Sequence, residues 1–126
     1  MAISLSDIKR GGSGRAPMIL IYSPPGAGKT TFAASAPSPI FIRTEDGLGD
    51  LEVDSFPEAS CVQDVMDALA ALYDEGHGYS EVVIDSLSAL EPMIWDQVAK
   101  DHGVNSIEDL GFGKGYVYAK IGRAHV

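Results

Sequence analysis

The chain has 126 residues, of which 45% are hydrophobic and 21% charged, and this size and composition suit one globular domain. No apolar run approaches the roughly 18 residues of a membrane-spanning helix, so no membrane association is predicted, and no secretory signal is expected at the N-terminus. The net charge of −9 argues against an overall basic surface that would bind nucleic acid, although a local binding face remains compatible with it. The single cysteine, Cys61, suits a reducing cytoplasm.

The first third of the chain predicts a flexible lead-in followed by a strand, a loop and a helix. Residues 1–16 end in a Gly- and Ser-rich stretch, which is typical of a flexible segment. The continuous apolar run 18–22, MILIY, predicts a strand that is buried on both faces of a parallel sheet. The segment 29–36, KTTFAASA, predicts a short helix that ends at Pro37.

Two more strand–helix pairs follow in the sequence. The apolar runs 39–44 and 81–86 predict the second and third strands, and apolar residues recur at helical spacing between Val62 and Tyr73. A third helix is expected to begin with Pro92 in its first turn, where proline is tolerated. This alternation predicts an α/β fold in which helices cover both faces of a parallel sheet, a three-layer αβα arrangement.

The segment SPPGAGKT, which begins at Ser23, matches the phosphate-binding pattern G-x-x-x-x-G-K-[ST] at every position except that first one. Gly26 and Gly28 allow successive backbone N–H groups to point inward as an anion nest, and the following helix adds its own free N–H groups. Lys29 is placed to reach the β- and γ-phosphates, which makes it a catalytic as well as a binding residue, and the Thr30 hydroxyl is placed to bind Mg²⁺. The residues predicted to bind ATP are Ser23, Pro24, Pro25, Gly26, Ala27, Gly28, Lys29, Thr30 and Thr31.

Two carboxylates are predicted to complete this site from the ends of neighbouring strands. Ligands of open α/β sheets bind beyond the carboxyl ends of the strands, and Asp85 ends the third strand, so it is expected to hold Mg²⁺ through a water molecule or through Thr30. Many AAA+ ATPases carry the general base directly after the aspartate in this position, but Ser86 follows Asp85 here, so the base is expected elsewhere. Glu45, at the end of the second strand, is the best candidate for that base, and Asp46 is its nearby competitor.

The segments PPGAGKTTFAASAP, FIRTEDGLGDL, VVIDSLSALE and IEDLGFGKGY resemble, in this order, the RecA-like P-loop ATPases, and in particular the phage and prophage AAA-type nucleotide-binding proteins. The resemblance covers residues 3–119 and implies binding of ATP and Mg²⁺, ATP hydrolysis, homo-oligomers, and work on single-stranded DNA in phage recombination or replication inside a bacterial cell. It also implies a DNA-contacting loop at GFGKGY, where Lys114 would meet a phosphate and Phe112 or Tyr116 would stack on a base. The alternative for this loop is a flexible Gly-rich connector.

The end of the chain is interpreted as foreign to the domain. IGRAHV can be encoded by a stretch of a widely used sequencing adapter, so residues 120–126 are read as a non-native tail and 17–119 as the N-terminal part of a RecA-like ATPase domain. The resemblance implies the strand order 5-1-4-3-2, in which the strand between the P-loop strand and the Asp85 strand would then be missing. We expect such an incomplete sheet to fold poorly or to aggregate through its open edges.

Two other readings of the sequence remain open. GAGKTT also occurs in P-loop nucleotide kinases and small-molecule kinases, although the arginine-rich lid that such enzymes need does not appear in this sequence. The second reading is an inactive fragment that binds nucleotide weakly or not at all.

Overall fold

Helices and parallel strands follow one another in the computed structural model, which describes residues 2–12, 14–111 and 115. The strands are β1 (Pro39–Arg43), β2 (Asp54–Ser55) and β3 (Glu81–Asp85). The helices are α1 (Lys29–Ala34), α2 (Val62–Asp74) and α3 (Leu87–Asp101), with short 3₁₀ turns at Leu5–Asp7 and Ile107–Leu110. This arrangement agrees with the predicted α/β class, and the tail 120–126 lies outside the described residues.

Strand β1 is the centre of a three-stranded parallel sheet with the order β2-β1-β3. Its pairing with β3 runs along the whole strand and ends with Arg43 opposite Asp85, so both strands stop at the same level. Phe41 and Ile42 point to opposite faces of the sheet and are 0% and 1% exposed, because this central strand is covered on both faces. The residues that follow β1 and β3 are therefore brought next to each other.

Helices α2 and α3 both contribute to the hydrophobic cluster on one face of this sheet. Val65 and Ala68 of α2 pack with Ile42 of β1, and Ile84 and Leu90 are packed against the same cluster. Ile42 and Ile84 are partners in the parallel register, so their side chains share one face. A second cluster joins α3 to the 3₁₀ turn that follows it and contains Ile94, Val98 and Ile107. Packing of these helices stabilises β1 and β3 as a pair and so fixes their carboxyl ends.

The prediction of a strand at 18–22 is wrong, because these residues form no strand. Their side chains are exposed, from 41% at Ile21 to 99% at Met18. An apolar run becomes a strand only where a neighbouring strand offers its N–H and C=O groups, and no described strand pairs with this run. In the strand order that the resemblance implies, the run would not neighbour β1 or β3 but strands that the described residues do not contain.

The predicted start of the third helix is also wrong, since α3 begins at Leu87, five residues before Pro92. Ser86 is the N-cap, and its side-chain oxygen accepts a hydrogen bond of 3.4 Å from the N–H of Ala89. Pro92 therefore lies inside the helix, where it removes one backbone hydrogen bond that the packing of the helix has to offset. Strand β2 was not predicted, because two residues are too few to show a period-2 pattern.

Candidate functional site

Two glycines of the predicted phosphate-binding segment 23–30, the phosphate loop, have left-handed backbone. Gly26 has φ of 81° and Gly28 has φ of 96°, both in the left-handed region that residues with a Cβ rarely adopt. A Cβ at either position would meet no atom within 4 Å, so it is backbone conformation and not space that calls for glycine. Gly28 is also the N-cap of α1, and the loop therefore turns directly into a helix N-terminus.

Lys29 folds back over the beginning of this loop. Its Nζ donates hydrogen bonds to the backbone oxygen and to the Oγ of Ser23, each at 3.0 Å, and approaches the backbone oxygen of Pro24 at 3.4 Å. The Ser23 hydroxyl in turn donates to the Pro24 oxygen at 3.1 Å. Ser23, the one departure from the phosphate-binding pattern, thus supplies an acceptor for Lys29 that glycine would lack.

Thr30 and Asp85 are in direct contact. The Oγ1 of Thr30 donates to Oδ2 of Asp85 at 2.7 Å, and both residues are half-buried. Thr30 lies in the first turn of α1 and Asp85 is the last residue of β3, so the contact joins the phosphate loop to the carboxyl end of the sheet. The two residues that the sequence predicts as Mg²⁺ ligands are thereby brought together.

Glu45 lies beside the residue that follows Asp85. The Ser86 hydroxyl donates to Oε1 of Glu45 at 2.7 Å, and the side chain of Glu45 is otherwise exposed. Asp46, the predicted competitor, is directed elsewhere: it is 87% exposed, and its Oδ1 lies 3.9 Å from Nη1 of Arg43. The structure therefore brings Glu45, and not Asp46, up to the end of β3.

Thr44 connects the ends of β1 and β3, and sequence reasoning missed it. Its Oγ1 accepts the N–H of Ser86 at 2.8 Å and donates to the backbone oxygen of Ser86 at 2.7 Å, and its own N–H donates to the Asp85 oxygen at 2.9 Å. The peptide bond between Asp85 and Ser86 is cis. Thr44 is 5% exposed, and the available signal in the sequence was a hydroxyl residue at the end of the predicted strand 39–44.

The residues present suit a nucleotide with Mg²⁺ better than a metal ion held by protein alone. Among the described residues no group of three or more His, Cys, Asp or Glu side chains is placed to hold a metal ion. Mg²⁺ requires about six oxygen ligands and usually takes one or two from protein and the others from phosphates and water. The hydroxyl of Thr30 and the carboxylate of Asp85 are a donor set of this kind, next to the loop whose sequence predicts phosphate binding.

Comparison with known families agrees with this geometry. Residues 15–125 match the family described as an AAA domain. The chain belongs to this family. The match includes the phosphate loop, Glu45 and Asp85, and membership in the AAA domain family indicates a nucleotide-binding ATPase. No curated protein and no solved structure matches the chain.

Some predictions for this AAA domain concern residues beyond the described part of the chain. The proposed DNA-contacting residues Phe112, Lys114 and Tyr116 lie outside the described residues. In the part of the AAA domain that the structure describes, the helices are too short or too polar to cross a bilayer.

Proposed function

We propose that this AAA domain binds ATP together with Mg²⁺ and hydrolyses it. The observation that carries the proposal is the convergence of three chain segments at the carboxyl end of β3. Asp85 accepts a hydrogen bond from Thr30 of the phosphate loop, and the next residue, Ser86, donates one to Glu45. Asp85 and Ser86 thus lie between the predicted phosphate-binding loop and the carboxylate of Glu45, as hydrolysis by an activated water molecule would require.

Binding would use the loop and the helix that it precedes. The backbone N–H groups around Gly26 and Gly28 and the N-terminus of α1 attract phosphate oxygens. Lys29 would exchange its contacts with Ser23 and Pro24 for the β- and γ-phosphates, where its positive charge is more fully compensated. Thr30 and Asp85 would hold Mg²⁺, which offsets the negative charge of the phosphates when it is bound.

Hydrolysis would use Glu45 as a general base. The carboxylate orients a water molecule and accepts its proton at Oε2 while the water oxygen bonds to the γ-phosphorus. The bond between the γ-phosphorus and the bridging oxygen breaks, and ADP and phosphate leave. Lys29 would stabilise the charge that develops on the transferring phosphoryl oxygens.

The test separates binding from turnover. We expect Lys29→Ala to abolish binding of a fluorescent ATP analogue, and Glu45→Gln to retain binding but to lose turnover by a factor of about 10² or more. Asp46→Asn is the matched control, since it removes an adjacent carboxylate that points to Arg43 and should hydrolyse ATP normally. Normal turnover by Glu45→Gln would show that the base is a different residue, whereas normal binding by Lys29→Ala would contradict the nucleotide site itself.

We further infer that the process served is phage or prophage DNA recombination or replication in a bacterial host cell, on single-stranded DNA and as a homo-oligomer. The support is the resemblance carried by FIRTEDGLGDL, VVIDSLSALE and IEDLGFGKGY. The experiment compares ATP turnover with and without a single-stranded oligothymidine at several salt concentrations, because phosphate contacts weaken as salt rises. We expect stimulation that Lys114→Ala reduces, and no stimulation would refute the DNA role but not the ATPase role.

A further inference from the structure

We propose that Ser86 is a positioning residue for Glu45: its hydroxyl holds Oε1 so that Oε2 is presented to the attacking water. This inference rests on the proposed ATP hydrolysis and adds to it a residue that orients the general base. The central observation is the 2.7 Å hydrogen bond from Ser86 Oγ to Glu45 Oε1, which joins residues 41 positions apart in sequence.

The hydroxyl of Ser86 is itself held in place. Its oxygen accepts the N–H of Ala89 at the first turn of α3, and a hydroxyl that accepts on one side has its single proton free for an acceptor on the other. The backbone N–H and C=O of Ser86 are both bonded to the buried hydroxyl of Thr44. Because its backbone and its side-chain oxygen are both fixed, Ser86 can hold the side chain of Glu45 in one position relative to the sheet.

Glu45 needs such a partner because little else restrains it. It follows the end of β1 in a loop, it is exposed, and a glutamate side chain has many rotamers. Within the part of the chain that the structure describes, no second side-chain hydrogen bond to Glu45 is found, so Oε2 keeps its capacity to accept a proton. A base with one oxygen fixed and one free is oriented without being blocked.

The alternative is that Ser86 acts only as the N-cap of α3. The variants are chosen to separate capping of the helix from orientation of Glu45. Glycine is nearly as good as serine at an N-cap but has no hydroxyl, so Ser86→Gly removes the donor to Glu45 at little cost to the helix. Ser86→Thr restores a hydroxyl. Ser106→Gly is the matched control, because Ser106 begins a 3₁₀ turn whose carboxylate partner is Asp109 and not Glu45.

The first measurement does not depend on turnover. Three-bond scalar couplings of the Glu45 side chain, measured by NMR on the full chain, report whether one rotamer dominates. We expect a dominant rotamer in the unsubstituted protein and in Ser86→Thr and Ser106→Gly, and averaged couplings in Ser86→Gly. Couplings that are the same in Ser86→Gly and the unsubstituted protein would overturn the proposal.

The second measurement is steady-state ATP hydrolysis by the same proteins. We expect Ser86→Gly to lower kcat by about tenfold to a hundredfold with little change in KM, and Ser86→Thr to recover most of it, since misplaced catalytic groups lose rate and not substrate binding. An unchanged kcat in Ser86→Gly would refute positioning. If Glu45→Gln hydrolyses normally, it is the proposed base that fails, and the couplings still decide whether Ser86 orients Glu45.

Discussion

Thr30 Oγ1 donates a 2.7 Å hydrogen bond to Asp85 Oδ2 and so links the first turn of α1 to the last residue of β3 across 55 residues of sequence. Since residues 18–22 form no strand, this side-chain contact connects the phosphate loop to the sheet where backbone pairing does not. The bond is charge-assisted and half-buried. It joins a hydroxyl oxygen to a carboxylate oxygen, and both are oxygen types that would bind Mg²⁺. Stability and nucleotide binding should therefore depend on the same pair of residues.

The first prediction concerns this pair. Thr30→Val keeps the shape of the side chain and removes its hydroxyl, and Asp85→Ala removes both acceptor oxygens. A hydrogen bond to a charged group contributes about 1.5–3 kcal/mol, and partial exposure should bring the value here to the lower end. The free energies of unfolding of the two single variants and the double variant, measured in urea, give the coupling energy. Additive losses would show that the contact contributes nothing.

The second prediction concerns Ser23. Ser23→Gly restores the usual phosphate-binding pattern and removes the hydroxyl that binds Lys29 at 3.0 Å, while the backbone acceptors for Lys29 remain. A hydrogen bond from a charged group contributes about 1.5–3 kcal/mol, and partial exposure together with the remaining backbone acceptors lowers the value here, so Lys29 should be released more easily and ATP should bind about two- to tenfold more tightly. Isothermal titration with an ATP analogue measures the change. Equal or weaker binding would mean that the hydroxyl does not restrain Lys29 in the nucleotide-free loop.

The third prediction concerns the left-handed backbone of Gly28. Gly28→Ala places a Cβ at φ of 96°, which costs roughly 1–2 kcal/mol although no atom lies in its way. The loop should abandon the nest conformation, and affinity for nucleotide should fall by about five- to thirtyfold. Gly76→Ala is the control, since Gly76 is equally open but does not have a positive φ. A similar effect of both substitutions on nucleotide binding would contradict the assignment of the nest.

The fourth prediction concerns acid stability at the start of α2. The backbone N–H and the hydroxyl of Ser60 donate to Asp64 Oδ2 at 2.9 and 3.0 Å, and these bonds lower the pKa of the Asp64 carboxyl from its ordinary value of 3.8. A carboxyl whose pKa is lower in the folded state adds stability above the unfolded pKa, and this stability is lost as the pH falls through the folded pKa. Asp64→Asn should therefore lower stability at neutral pH and make it less sensitive to acid.

Urea midpoints of the Asp64→Asn variant and the unsubstituted protein, compared from neutral pH to below 3.8, measure this difference. Asp67→Asn serves as the control for loss of one negative charge from the same helix. Curves for Asp64→Asn and the unsubstituted protein that remain parallel across the acid range would show that Ser60 does not stabilise the carboxylate.

Much of the fold could be read from local patterns. The apolar runs of β1 and β3 and the helical spacing from Val62 predicted these three elements within one or two residues at each end. The phosphate loop was predicted because glycine, lysine and threonine at that spacing carry their own conformational and chemical requirements. Asp85 was predicted as a site residue because it ends a buried strand, and where ligands bind in such sheets follows from topology.

Tertiary structure decided what depends on partners distant in sequence. The run 18–22 is as apolar as β1 and yet forms no strand, because pairing requires a neighbour and the described strands offer none. Which carboxylate, Glu45 or Asp46, lies at the end of β3 depends on contacts that the sequence does not show, since Glu45 accepts a hydrogen bond from Ser86 whereas Asp46 lies near Arg43. The sequence alone thus determined which segment is predicted to bind phosphate, since the pattern of glycine, lysine and threonine that carries this prediction is local to the chain. Only the register of β1 against β3 decided that Thr44 and Glu45 lie beside Asp85 and Ser86, because strand pairing brings together residues that are about 40 positions apart in the sequence.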